Sequence, residues 1–196
     1  RGDPALLKSN VRLNDIMAKS KYLLGIDAGS SSIKATILEA KSGRAVSAAS
    51  PSGKEMKIDS PHKEWAEQDP EAWWKHTVKA VRKVMKRSGA SPDEIAAIGI
   101  TYQMHGLVVV NRDKKVLRKS IIWCDSRATS IGQEAFRTLG SEKCLTNYLN
   151  SPGNFTASKL RWVQENEPDI YRHIHKMNPS GYYRYMMLTG TISTTH

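Results

Sequence analysis

Residues 22–39 read YLLGIDAGSSSIKATILE. One carboxylate, Asp27, closes an apolar run; Gly29, Ser30 and Ser31 follow, and Lys34 comes next on the far side of the turn. A tight turn of glycine and serine offers backbone N–H groups and hydroxyls to phosphate oxygens. Lys34 adds a positive charge, and a carboxylate beside them can hold Mg²⁺, which takes one or two protein carboxylates together with substrate phosphates. Phosphoryl transfer asks mainly for positioning and charge neutralisation, and this hairpin can contribute both. The same residues also suit an ordinary hairpin in which Asp27 closes its own turn by a local hydrogen bond. They form no P-loop, because G-x-x-x-x-G-K-S/T is missing and a strand rather than a helix follows. A second candidate is His105 in Gln103–Gly106, QMHG, where a strand opens into a turn. Its imidazole can donate to or accept from hydroxyls of a ligand, or it can be satisfied locally.

The elements that must position these residues are legible from periodicity. Residues 22–27 and 33–39 read as strands, and Ile33, Ala35 and Ile37 alternate with Lys34, Thr36 and Leu38. The turn between them predicts an antiparallel hairpin, and a third strand is expected at 44–49. Asp69 as N-cap and Pro70 at the first helical position start a helix. Trp73, Trp74, Thr77, Val78, Val81, Val84 and Met85 give it one apolar face, and Gly89 ends it. Strands are expected at 95–101, 107–111 and 116–123, and helices at 128–139, 156–165 and 181–188. Residues 164–177 fit one helix broken at Pro168 or two short ones. The pattern is α/β, one sheet with helices against it.

Composition narrows the class. Of 196 residues 39% are hydrophobic and 25% charged, as in a globular domain, and no apolar run is long enough to span a membrane. The net charge of +11 raises nucleic-acid binding, but no RNP, zinc-finger or helix-turn-helix pattern accompanies the scattered lysines and arginines. A solvated basic surface, and no nucleic-acid partner, is the expectation. Cys124 and Cys144 sit in no metal-binding spacing and point to a reducing cytoplasm. Residues 1–16 read as a leader before Met17, leaving 17–196 as the domain.

Four blocks in order narrow it further: GIDAGSSSIK, then WAEQDPEAWW (Trp65–Trp74), QMHG, and WCDSR (Trp123–Arg127). Together they resemble the N-terminal, sugar-binding domain of the FGGY carbohydrate kinases over residues 22–195, most closely those acting on xylulose. The resemblance implies a ribonuclease-H-like core of the actin/hexokinase superfamily, with a mixed sheet and flanking helices. It implies an enzyme of two such domains, ATP and Mg²⁺ as cofactors, and transfer of the γ-phosphoryl group to D-xylulose, giving D-xylulose 5-phosphate. Asp27 would then lie near the metal, and Gly29, Ser30, Ser31 and Lys34 near the phosphate. Met104 and His105 would touch the ketose, with Trp123 and Asp125 in the sugar-side wall. Trp73 and Trp74 of WAEQDPEAWW are expected in the core, on the helix face. The family's catalytic aspartate follows a Met/Leu-Thr-Gly block, here Leu188-Thr189-Gly190, and no aspartate follows it before His196. The base and the second, nucleotide-side domain are therefore expected outside this chain. The chain alone is expected to be inactive or nearly so, and to self-associate or dimerise through an exposed cleft face. Asp125 and Asp169 lie outside the matching motif and are not read as the base. Ribulose, gluconate or glycerol kinases, and a non-enzymatic actin-like nucleotide switch, are the alternatives.

Overall fold

The computed structural model describes residues 21–51, 53 and 55–192; the leader read into 1–16, the start at Met17 and the last residues, 193–196, lie outside them. In chain order the elements are β1 (Tyr22–Ala28), β2 (Ile33–Glu39), β3 (Ala45–Ala49), β4 (Glu67–Gln68), α1 (Pro70–Ser88), β5 (Ile95–Tyr102), β6 (Val108–Val110), β7 (Ser120–Ile121), α2 (Thr129–Leu139), α3 (Ser141–Tyr148), α4 (Thr156–Asn166), α5 (Pro168–His173), β8 (Lys176–Asn178) and α6 (Ser180–Thr189). The described chain forms two units: residues 21–28, 32–51, 53 and 75–101, and residues 29–31, 55–74 and 102–192.

Alternation builds the first unit. Its sheet runs β3-β2-β1-β5, with β1 and β2 antiparallel, as are β2 and β3. Leu24, Ile26 and Ala28 of β1 and Ile33, Ala35 and Ile37 of β2 are buried. Each fully buried isoleucine among them contributes about 1.5–3 kcal/mol. The alternate positions, including Asp27 and Lys34, face away from that core. Helix α1 begins as its sequence demands: Asp69 Oδ1 accepts from the Glu71 N–H at 2.9 Å. It ends at Gly89, whose φ of +70° is the left-handed conformation that closes a helix. Thr77, Ala80 and Val84 form its buried stripe. Lys83 and Arg87 donate to the carbonyls of Ser50 and Ala48, so two of the basic residues fasten the helix beside β3.

The second unit is built on two short antiparallel ladders, β4 with β7 and β6 with β8. Leu107, Val109, Ile121 and Val163 form its core, with Leu117, Leu160, Trp162 and Ile174 packed against them. The expected strand at 116–123 is shorter: only Ser120–Ile121 joins a ladder, and Val116 makes an isolated bridge to Val110. Arg118, between them, turns into ion pairs with Glu67 and Glu167. Residues 164–177 resolve into the end of α4, then α5 started by Pro168, then strand β8. Helix α3 has no counterpart in the expectations: it restarts at Gly140, and Cys144 is its buried residue.

Glycine lets α2 approach the turn at Pro152–Asn154. A Cβ on Gly132 would lie 2.3 Å from the Gly153 Cα and 2.5 Å from the Gly153 nitrogen. Both obstacles are backbone, so relief requires the helix and turn to separate. Gly132→Ala is expected to cost about 1–3 kcal/mol or more, read as a lower urea midpoint. An unchanged midpoint would show that this contact is looser than described.

Candidate functional site

Asp27 and Lys34 face each other across the β1–β2 ladder. Both are exposed. They border an open groove of about 390 Å³ that also touches Gly25, Thr36, Gly99 and Thr101. Gly25 and Gly99 keep it open, since a Cβ at Gly25 would meet only the Thr36 carbonyl, at 3.9 Å, and one at Gly99 would meet nothing. A carboxylate beside an ammonium on an exposed sheet face can hold a hydrated cation and a phosphate together. Among the described residues no group of three or more His, Cys, Asp or Glu could bind a metal by itself. A single carboxylate such as Asp27 can hold Mg²⁺ only where phosphate oxygens and water supply the remaining ligands.

The turn that joins these strands, residues 29–31, belongs to the second unit and is held within it. Gln68 Nε2 donates to the Ser30 carbonyl at 2.7 Å, and the Met56 N–H donates to the Ser31 carbonyl at 2.7 Å. The Trp123 indole N–H donates to Ser30 Oγ at 3.2 Å. Gln68 is itself fixed, since its Oε1 accepts from the Trp73 indole N–H at 3.0 Å. Two carbonyls of the turn are thereby engaged; backbone N–H groups and hydroxyls in such a turn are donors of the kind that can face an anion.

Met104 is 68% exposed and His105 half-buried. His105 has φ +60°, a left-handed conformation that histidine tolerates better than most residues. Its ring stacks on Phe155, centroids 5.3 Å apart. Partial burial, helped by the Lys159 charge, holds its pKa below the ordinary value. It therefore favours neutral imidazole, which can both donate and accept. Three side chains pin the loop's carbonyls: Ser180 Oγ donates to Gln103 O at 2.6 Å, Lys159 Nζ to His105 O at 2.8 Å, and Thr156 Oγ1 to Gly106 O at 3.4 Å. Gly181, at the start of α6, is required by the Tyr102 ring, which lies 2.0 Å from where its Cβ would stand.

Trp123 is half exposed, and Asn154 Nδ2 donates to its carbonyl. Asp125 differs from the expected wall residue. It is buried, and both carboxylate oxygens are engaged: Oδ2 accepts from the Ala66 N–H at 2.6 Å, and both accept from the Arg127 guanidinium at 2.7–3.0 Å. Arg127 also pairs with Glu67 at 2.8 Å and lies over the Trp65 ring at 3.8 Å. Asp125 thus fastens the WCDSR block to the WAEQ block. Trp73 is a core residue, as expected, whereas Trp74 is half-buried; Trp65 covers the guanidinium.

Comparison with known proteins identifies the family. The model for the N-terminal domain of the FGGY family of carbohydrate kinases matches residues 22–196. The chain belongs to the FGGY family. It is 36% identical over 172 residues, 87% of its length, to a xylulose kinase of Escherichia coli (strain K12), of which it covers 34%. Among solved structures, a xyloylose kinase from Brucella ovis matches with TM-score 0.77 and 33% identity, and a xylulose kinase from Rhodospirillum rubrum with TM-score 0.77 and 28% identity. In each case 86% of this chain and 34% of the other is covered. The chain thus spans about a third of the length of these relatives. Its fold is the expected α/β fold of the actin/hexokinase superfamily.

The sequence reading missed Gln68, Asn154 and Lys159. A lysine in a helix reads as a solvated residue, and only the fold reveals that Lys159 is fully buried. The engagement of Asp125 gives a clear expectation. Asp125→Ala leaves Arg127, itself 1% exposed, without its bidentate partner. Stability should fall by about 3–5 kcal/mol, measured by chemical denaturation. Unchanged stability with a selective loss of sugar affinity would return Asp125 to the wall.

Proposed function

We propose that the protein carrying this domain is an ATP-dependent sugar kinase that phosphorylates a ketopentose, D-xylulose, to D-xylulose 5-phosphate. The observation that carries the reading is the 36% identity to a xylulose kinase across 87% of the chain. Residues in each unit, taken separately, suit this reading. His105 and Met104 present an amphipathic, half-exposed surface for sugar hydroxyls and the carbon chain, with Trp123 as a further wall. Gly29, Ser30, Ser31 and Lys34 offer donors and charge to the transferring phosphoryl group. Asp27 would hold Mg²⁺, which when bound supplies charge neutralisation at the phosphates. The proton acceptor and the nucleoside pocket are assigned to no residue of this chain, so the isolated chain is proposed to bind sugar without turning it over.

Among the described residues no helix is long and apolar enough to cross a membrane. A cytoplasmic setting belongs to the same proposal and rests on two unpaired thiols, Cys124 exposed and Cys144 buried. Self-association is proposed from exposed apolar side chains such as Leu145 and Leu149, at 53% and 85% exposure.

The test is ADP release by the complete protein over a panel of D-xylulose, ribulose, gluconate and glycerol. D-xylulose should show the highest kcat/KM. His105→Ala should raise the KM for D-xylulose about tenfold, the cost of one polar contact to substrate, and leave the KM for ATP unchanged. Asp27→Ala should lower kcat at least 10²-fold, an effect of the size seen when one electrostatic contact to the reacting group is lost, and raise the Mg²⁺ requirement. A preference for another sugar would reassign the substrate, and nucleotide binding without any phosphorylated product would replace the kinase with a nucleotide switch.

A further inference from the structure

Lys159 is fully buried in α4, at 0% exposure. An ammonium has three donors, and here each finds an acceptor: His105 O at 2.8 Å, Asn154 Oδ1 at 2.7 Å and Asn154 O at 3.2 Å. The Asn154 side chain is thereby oriented, and its Nδ2 donates onward to the Trp123 carbonyl. One cation thus connects the backbone under the imidazole to the backbone under the indole. Among the described residues no carboxylate forms an ion pair with it; Lys159 directs its charge at carbonyls, which is a costly use of a buried ammonium unless the geometry it fixes matters. The loop it fixes is strained in the relevant place, since His105 has φ +60°. On the other side of the same ring, Phe155 stacks on the imidazole from the residue next to Asn154. The three acceptors therefore determine both the loop and the surface against which the imidazole rests.

We propose that Lys159 is the positioning residue of the sugar wall: its ammonium ties the His105 loop to Asn154 and Trp123, so that the imidazole and the indole meet the ketose in one fixed arrangement. The inference rests on the reading that His105 contacts the sugar. A neutral amine would have two N–H donors for the same three acceptors, so losing the proton loosens the arrangement. Burial lowers the Lys159 pKa to about 8, with Arg127 acting in the same direction and Asp125 and Cys124 acting against it. The proton is therefore retained below about pH 8 and lost above it, within a range that can be assayed. The His105 imidazole is also close by, but its own pKa lies below the ordinary value and it does not titrate there. The Cys124 thiol is raised by burial, and its titration is separated by the variant described next.

The experiment measures KM for D-xylulose, KM for ATP and kcat in the complete protein from pH 6.5 to 9.5, for wild type, Lys159→Met, Asn154→Ala and His105→Ala. In wild type the KM for D-xylulose should rise several-fold above about pH 8 while the KM for ATP stays level. Lys159→Met should raise the sugar KM about tenfold or more at pH 7, the scale of a lost charge-assisted hydrogen bond, and abolish the alkaline rise. Asn154→Ala should raise the sugar KM in the same selective way. A sugar KM that is level with pH in wild type, or that is unmoved by either substitution while His105→Ala raises it, overturns the role of Lys159. A sugar KM unmoved by His105→Ala overturns the underlying reading of the sugar site instead. If Lys159→Met does not fold, the wild-type pH profile and Asn154→Ala still decide the matter.

Discussion

The second unit depends on the burial of a small set of charges. Arg127 lies between Asp125 and Glu67, with side-chain exposures of 1%, 0% and 11%, and Trp65 and Trp162 cover its guanidinium. Arg118 joins the same group through Glu67 and Glu167. Burying such ions is expensive unless they are paired and hydrogen-bonded. The demand for pairing therefore restricts how the segments carrying them can meet. Asp125 also takes the Ala66 N–H, which places the strand Glu67–Gln68 against Ser120–Ile121. From that placement the rest of the wall follows: Gln68 reaches the Ser30 carbonyl, and Trp123, two residues before Asp125, reaches the Ser30 hydroxyl.

The loops at residues 29–31 and 103–106 share a simple physical form. Each loop that could touch a ligand has its carbonyls tied back by buried side chains. Ser30 and Ser31 are held by Gln68 and the Met56 N–H, while Gln103, His105 and Gly106 are held by Ser180, Lys159 and Thr156. A loop anchored in this way presents its remaining donors and its side chains without paying ordering entropy when a ligand arrives. Gly132 and Gly181 contribute by letting helices approach closely where those anchors originate. One group is not accommodated: both amide atoms of Gln103 are buried without a hydrogen bond among the described residues. An unmet buried amide costs about 1–3 kcal/mol, and its place beside His105 marks that loop as one where stability has not been maximised.

Membership of the FGGY family places this arrangement in a setting of proteins about three times as long. The division of the described residues suits such a setting. Asp27 and Lys34 stand on the exposed face of a sheet built by strict alternation, and a groove remains open there because Gly25 and Gly99 lack side chains. The hairpin tip between them is held by different segments altogether. The hairpin therefore combines a ladder set by alternation with a separately anchored turn.

By itself the sequence determined the antiparallel hairpin, the helix from Pro70 to Ser88 with its cap and glycine stop, and the four blocks that reveal the family. These are local matters: a period of two, a period of 3.6, a capping aspartate and a short motif each act within a few residues. The short ladders of Glu67–Gln68 and Lys176–Asn178 were hidden, because two or three residues carry no period and form only where a partner strand is supplied. Helix Ser141–Tyr148 was hidden because its polar sequence buries little beyond Cys144. The tertiary structure alone decided that Asp125 binds Arg127 rather than standing free in a wall, and that Lys159 lies beneath His105 rather than in solvent. Those outcomes depend on which distant segments bury a charge together, and nothing within reach of a single turn or strand records that choice.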